Sequence, residues 1–293
     1  TALDAGYGTV WVADNRRGWH GGATGLRWVR SDAQAAAAAA FMADRADRVR
    51  VMPFLDGVPC SIHGMVLPRT TLAFRPCEMV VLRRAGRSEL CYAGTATLWD
   101  PPPVDRAELR THVRRVGEHL RSAVGYRGAF SIDGVMTADG FRPTELNPRF
   151  GAALGLLAAV ADIPLYLVHM AAVEGVDVDW PETELEGVVV AAADAARRAG
   201  CHVPVAHPLE ERTLGVRYVD GAVEPVDTSQ AQVTLQCGPS PLGGFVRLEL
   251  ASDAVAPGSA VAPLVADVLM WADERIGLGL GRLEPAPDVR QSG

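Results

Sequence analysis

The chain contains no lysine; its 28 basic residues are all arginine. That excludes Schiff-base chemistry and any phosphate loop built on lysine. A phosphate here must be held by arginine, histidine or backbone N–H groups. Cysteine is scarce too. Cys60, Cys77, Cys91, Cys201 and Cys237 are scattered, odd in number and without CxxC spacing. They read as reduced thiols in a cytoplasmic protein, and neither a disulfide frame nor a zinc site fits them. There is no basic block, and the net charge is −7. A nucleic-acid binder working by phosphate neutralisation is therefore not expected. No long apolar run survives inspection either. The most apolar stretch, Leu154 to Ala172, is broken by Asp162, Pro164 and His169, so no membrane span is expected. No signal peptide is visible. The sequence opens on Thr1 without methionine and directly in strand-like residues, which suggests a fragment or a processed piece. With 293 residues there is room for one large domain or two to three lobes.

What is present centres on residues 131–149. Ser131-Ile132-Asp133-Gly134-Val135-Met136 and Phe141-Arg142-Pro143-Thr144-Glu145-Leu146-Asn147-Pro148-Arg149 read as two strands. The Asp139-Gly140 turn joins them. Strand side chains alternate, so Glu145, Asn147 and Arg149 share a face. A three-residue loop centred on Asp139 pairs residue 137 with 141 and sets Asp133 opposite Glu145, with Cβ atoms about 5 Å apart. Two facing carboxylates repel and call for a cation between them. An amide oxygen from Asn147 completes an all-oxygen set that suits Mg²⁺. Arg149 on the same face reaches a phosphate or carboxylate beside the metal.

Upstream, Thr9–Ala13 and Leu26–Arg30 read as strands around a glycine-rich loop. Ser31 with Gln34 reads as a capping box opening an alanine-rich helix to about Asp44. Strands are expected over Arg48–Leu55, Cys60–Leu67, Thr71–Arg75, Glu78–Arg84 and Glu89–Thr97. Trp99-Asp100-Pro101-Pro102-Pro103-Val104 reads as an ordered loop. Asp105 and Glu108 then cap a helix with apolar positions Leu109, Val113, Val116, Leu120 and Val124. His112 and His119 lie on its polar side. Downstream, Gly151–Ala161 and Pro164–Glu174 read as helices. Glu186–Ala193 reads as a strand, followed by strands over Leu214–Asp220, Gly221–Val226, Gln232–Cys237 and Gly244–Leu250. Ser259–Arg275 reads as a helix, and the proline-bearing tail from Leu283 as loose. The stretch Pro181–Glu184 reads as a linker.

The pattern Asp133…Glu145-x-Asn147-x-Arg149, spaced 12, 14 and 16 residues from the first acid, resembles the metal-binding core of the ATP-grasp superfamily of carboxylate–amine ligases. The resemblance covers about residues 5–175. It implies an α+β fold of two lobes with antiparallel sheets: a small lobe over 1–67 and a large lobe with the metal hairpin over 68–180. A β-rich appended domain would occupy 181–293, and the family's usual preceding domain would be missing. The metal ligands implied are Asp133, Glu145 and Asn147, with Arg149 facing the reacting phosphoryl group. The glycine-rich loop is similar to the family's phosphate-covering loop, which implies nucleotide contacts from His20, Gly21 and Gly22. Val51-Met52-Pro53-Phe54-Leu55-Asp56-Gly57 is similar to the adenine hinge, with contacts from Met52, Pro53, Phe54 and Leu55. Arg75 is a second candidate for clamping the γ-phosphate or the substrate carboxylate.

The sequence departs from the family where a lysine usually precedes the glycine-rich loop. Val12-Ala13 stands there, and Arg16 or Arg17 are candidate replacements. Met52 fills the slot of the hinge acid, and Pro59-Cys60-Ser61 the slot of the ribose-binding acid. His63 alternates with Ser61 and is read as a core or strand-edge histidine. Ser61 shows no triad partners, so a serine hydrolase is not supported. The activity implied is an ATP- and Mg²⁺-dependent ligase joining a small carboxylate, of amino-acid or peptide type, to an amine. Two alternatives stay open: a catalytically inactive protein of this fold that binds nucleotide or a partner, and a biotin-carboxylase-like carboxylase. The second ranks lower because Phe150-Gly151-Ala152 follows Arg149 where carboxylases carry Gln-Val-Glu. A homodimer is left open, and neither nucleic acid nor membrane is expected as a partner.

Overall fold

A computed structural model describes residues 3–13, 23–85, 87–176 and 181–285. A small three-stranded antiparallel sheet comes first, with β1 (Thr9–Ala13) between β2 (Leu26–Val29) and β3 (Val49–Pro53). Helix α1 (Asp32–Ala43) joins β2 to β3. Ser31 caps the helix as the sequence predicts, its Oγ accepting from Gln34 N at 3.3 Å, while Gln34 Oε1 reaches one residue further back and accepts from Arg30 N at 2.8 Å. Trp28 and Phe54 stack at 4.3 Å and close this layer.

The remaining strands build one 12-stranded sheet. They are β4 (Val58–Val66), β5 (Thr71–Ala73), β6 (Cys77–Arg84), β7 (Leu90–Ala96), β8 (Gly128–Thr137), β9 (Gly140–Asn147), β10 (Ala199–Val205), β11 (Arg212–Val219), β12 (Ala222–Val226), β13 (Val233–Ser240), β14 (Gly243–Leu250) and β15 (Leu283–Pro285). The path runs β12-β11-β13-β14-β10-β7-β6-β4-β8-β9, with β5 on β4 and β15 on β6. Every pairing in it is antiparallel. The fold is α+β, as expected.

Helices cover the sheet. The apolar side of α2 (Pro103–Val124) packs Leu109 and Val113 on Val58, Cys60, Ile62, Phe130 and Ile132. On the opposite face, α3 (Ala152–Ala161), α4 (Leu165–Glu174) and α5 (Glu182–Ala195) bury Leu154, Leu157, Leu165 and Val189 against Met65, Phe74, Cys77 and Ala129. Helix α6 (Ala262–Ile276) seals the C-terminal half of the sheet with Val265, Val268 and Leu269. Glu78 fixes its start: the buried carboxylate accepts from Val261 N at 2.7 Å and Ala262 N at 3.0 Å. That offsets the free N–H groups of the first turn and their positive dipole end. Among the described residues no single helix is long and apolar enough to cross a membrane. Helices α3 and α4 are apolar but meet at 120°, each with one side in the core.

Four expectations need correction. Residues 186–193 are helix, not strand. Leu185, Val189 and Ala193 are buried one helical turn apart, and this i, i+4 spacing outweighs the strand preference of Val188–Val190. Helix α2 starts at Pro103, not Asp105, because proline suits a first helical position. Strand β4 lies in the large sheet beside β8 and β6, so the small sheet ends at Pro53 and not near residue 67. Finally, residues 181–285 are not separated by strand pairing. The unforeseen strand β10 hydrogen-bonds to β7 and continues the same sheet.

Candidate active site

The hairpin β8–β9 lies at one end of the large sheet, with β9 as the edge strand. Asp133 stands opposite Glu145, as the sequence predicts, although the turn is tighter than expected. Thr137 pairs with Gly140 rather than residue 141, which alone would shift the register by one residue. Thr144, an extra residue at a bulge between Asp133 and Gly134, restores it. Its hydroxyl donates to the Asp133 carbonyl at 3.2 Å. Gly134 is required there, since a Cβ would sit 2.4 Å from the Arg142 carbonyl oxygen and 2.6 Å from the Phe141 ring. Pro143, which has no N–H, sits opposite Gly134 on the edge strand, where a missing donor is tolerated.

Strand β4 extends this patch. It pairs Ser61 with Asp133 and His63 with Ser131, while β9 pairs Ser131 with Asn147. Directly opposed residues in antiparallel strands share a face. Two adjacent polar rows result, Ser61–Asp133–Glu145 and His63–Ser131–Asn147.

The rows are hydrogen-bonded. Asp133 accepts from Ser131 Oγ at 3.1 Å and from Asn147 Nδ2 at 2.9 Å. Asn147 is buried, and its Oδ1 accepts from Arg149 Nη1 at 2.5 Å. Glu145 and Arg149 are exposed at the edge. Burial is the main force that pushes the Asp133 carboxyl up to about 6; the facing Glu145 adds to it, while Ser131 and Arg149 pull the other way. The structure thus brings together Asp133, Glu145, Asn147 and Arg149.

This donor set fits a hard divalent ion. It offers two opposed carboxylates and an amide, and a carboxyl held half-protonated near pH 6 by its surroundings is one that a cation would stabilise. Among the described residues no group of three or more His, Cys, Asp and Glu side chains converges. A metal at this hairpin therefore depends on the Asn147 oxygen as well as the two acids, and the amide, whose Nδ2 now faces Asp133, must turn over to present it.

Other candidates stand elsewhere. Arg75 is not at the hairpin's disposal. It is 1% exposed, and its guanidinium binds Asp194, Asp100 at 2.6 Å and the Trp99 carbonyl at 2.9 Å. Arg106 and Arg197 join the same two carboxylates. Arg75 is a buried tie between the β5–β6 turn and helix α5, not a clamp. Of the hinge residues, Met52 and Pro53 lie on β3, an edge strand, and pair with Val10 and Thr9 of β1. Phe54 is buried on Trp28, and its N–H donates to the Gly8 carbonyl at 3.0 Å. That N–H is committed within the small sheet and is not offered to an adenine. Leu55 is half-buried. His20, Gly21 and Gly22, with Arg16 and Arg17, lie outside the described residues.

Two features were missed from sequence. Arg48 and Arg50 line a cleft of about 450 Å³ with Val12, Ala13 and Val49, beside the position where lysine was looked for. Arginines alternating from Arg48, just before β3, to Arg50 on it are the available signal. The second is a Ser–His contact: Ser61 Oγ lies 2.9 Å from His63 Nε2. It is no hydrolase triad, because His63 Nδ1 has no partner among the described residues.

No protein-family model matches this sequence, and no match to a curated protein is found. Solved structures do match. Pyruvate carboxylase from Rhizobium etli, solved with its allosteric activator acetyl coenzyme A, is 19% identical with a TM-score of 0.50, over 86% of this chain. The biotin carboxylase domain of 2-oxoglutarate carboxylase from Hydrogenobacter thermophilus, solved with MgADP, ADP and bicarbonate, is 11% identical with a TM-score of 0.54, over 96%. Carboxyaminoimidazole ribonucleotide synthase from Aspergillus clavatus, solved with ATP, is 10% identical with a TM-score of 0.55, over 92%. This chain spans 22%, 59% and 63% of those chains, respectively. What it shares with them at such low identity is architecture, and that architecture is the ATP-grasp fold.

Proposed function

We propose that the chain is an ATP- and Mg²⁺-dependent ligase that activates a small carboxylate as an acyl phosphate and joins it to an amine. The observation that carries this reading is the hairpin patch, where Asp133 faces Glu145 and Asn147 and Arg149 lie beside them. The ligands of two structural neighbours, MgADP with bicarbonate and ATP, support the nucleotide part.

Asp133, Glu145 and Asn147 would hold Mg²⁺. When bound, the ion supplies charge neutralisation for nucleotide phosphates. The chain's own residues do the rest. Ser131 fixes one Asp133 oxygen, so the carboxylate keeps its orientation. The bulge at Thr144 holds Glu145 opposite it. Arg149, steadied through Asn147, offers a fixed cation to charge developing on the transferred phosphoryl group. Positioning and electrostatics are the main contributions asked of the protein in such a transfer. Arg48 and Arg50, in the cleft beside β1, are candidate contacts for the nucleotide phosphates in a chain without lysine.

The test is ADP release from MgATP with pooled small carboxylates and pooled amines. The ligase reading expects ADP formation that requires both pools and Mg²⁺. A second reading, a nucleotide binder without turnover, is favoured by the absent lysine and by Arg75 being committed to Asp194 and Asp100. It expects MgATP binding with no ADP under any pool.

A further inference from the structure

His63 is buried at 3% exposure in the row beside the metal hairpin. Ser61 occupies its Nε2, but Nδ1 has no partner among the described residues. A buried polar atom left unpaired is costly and calls for an explanation. Nδ1 points towards the start of α3. A Cβ placed on Gly151, the residue before that helix, would lie 3.3 Å from His63 Cε1 and 3.6 Å from Nδ1. Helix α3 has no side-chain cap there, so its first-turn N–H groups present their positive end beside the imidazole. Arg149, two residues earlier, adds a cation that already belongs to the hairpin patch.

Burial lowers the His63 pKa to about 4, so the ring is neutral at pH 7 and carries one proton. The Ser61 hydroxyl can donate to Nε2, which leaves that proton on Nδ1 as a donor. A neutral donor, an uncapped helix start and an arginine together select an oxyanion. The Asp133 and Glu145 carboxylates belong to the neighbouring row, which the hairpin's cation would neutralise.

We propose that His63, oriented by Ser61, is a specificity-determining residue whose Nδ1–H binds an oxyanion lodged against the first turn of α3. This rests on the ligase reading, in which that anion is either the substrate carboxylate or a phosphoryl oxygen. Glycine at 151 lets the backbone approach the ring, since a Cβ there would press on it at 3.3 Å. The anion enters by displacing the contact between ring and backbone.

The test uses the full chain labelled with ¹⁵N-histidine. The His63 resonances are identified by their loss in His63→Gln. Acetate and inorganic phosphate are titrated separately, with and without MgADP, and MgADP affinity is measured on the same samples by calorimetry. The proposal expects one of the two anions to shift the His63 Nδ1 signal saturably. Acetate points to the carboxylate and phosphate to the phosphoryl group. His63→Phe should weaken that anion about ten- to a hundredfold, the scale of a lost hydrogen bond to a charged group. His63→Asn, which keeps an N–H near the Nδ1 position, should restore it to within a few-fold. The proposal is overturned if neither anion moves the signal, or if His63→Phe binds the anion as the parent does. Should His63→Phe fail to fold, the titration of the parent chain decides. A chain that fails to bind MgADP would sink the ligase reading, while the nucleotide-free titration would still judge His63.

Discussion

Asp133 is the residue on which most consequences turn. Its carboxyl is raised from 3.8 to about 6, by burial first and by the facing Glu145 next. A raised acid pKa means that the folded chain holds this proton more tightly than the unfolded chain. The metal-free protein therefore loses stability as pH rises from about 4 through about 6, and the loss is complete at pH 7. Asp133→Asn removes the penalty. We expect it to stabilise the metal-free chain at pH 7 by on the order of 1–3 kcal/mol, with a smaller gain at pH 5, and to abolish stabilisation by Mg²⁺. Thermal melts at both pH values, with and without Mg²⁺, check this. Arg149→Gln should lower ADP release by about a hundredfold or more while changing nucleotide affinity only a few-fold, read from steady-state rates and calorimetry. At this scale the sequence was informative where the deciding contacts are local. Asp133, Glu145 and Asn147 are related by one turn and by strand alternation. Arg75 was misread because its partners Asp100 and Asp194 are 25 and 119 residues away. No local pattern announces such an ion pair.

Among the elements, the hairpin owes its register to two compensating irregularities, the short turn and the bulge at Thr144. Sequence reasoning found the right partner for Asp133 through a different loop, because the two offsets cancel. Gly134→Ala tests the bulge. Its Cβ would meet the Arg142 carbonyl oxygen at 2.4 Å, so the edge strand must move away. The expected result is a destabilisation of a few kcal/mol together with weaker Mg²⁺ binding. A variant that lost stability yet bound Mg²⁺ normally would show that the register survives without the bulge. Helix α5 carries the converse lesson. Three consecutive valines suggested a strand, but the burial period of Leu185, Val189 and Ala193 was the better guide. Strand β10 was missed because glycine and proline at Gly200 and Pro204 mask its alternation, although Ala199, Cys201, Val203 and Val205 are all buried.

At the level of the molecule, the expected division near residue 180 is crossed by hydrogen bonds and by core. Strand β10 pairs with β7, and α5 packs Leu185, Val189 and Ala193 into the core shared with Phe74 and Leu154. Asp194, on the same helix, accepts from the buried Arg75 and from Arg106 on α2. Glu78 reaches across to the start of α6. Calorimetry of the large sheet should therefore show one cooperative transition, and a chain truncated at residue 180 should not fold stably. Two separable transitions would restore the appended-domain picture. Composition and element order made the α+β class readable, but sheet continuity depends on which strands neighbour in space. The central claim remains that this fold uses its hairpin to hold a magnesium nucleotide. Calorimetric titration of the full chain with ADP, with and without Mg²⁺, tests it most directly, alongside Asp133→Asn and Glu145→Gln. The account expects Mg²⁺ to tighten ADP binding about tenfold or more in the parent chain and to have no effect in either variant. Equal ADP affinity with and without Mg²⁺, or no ADP binding at all, would contradict it.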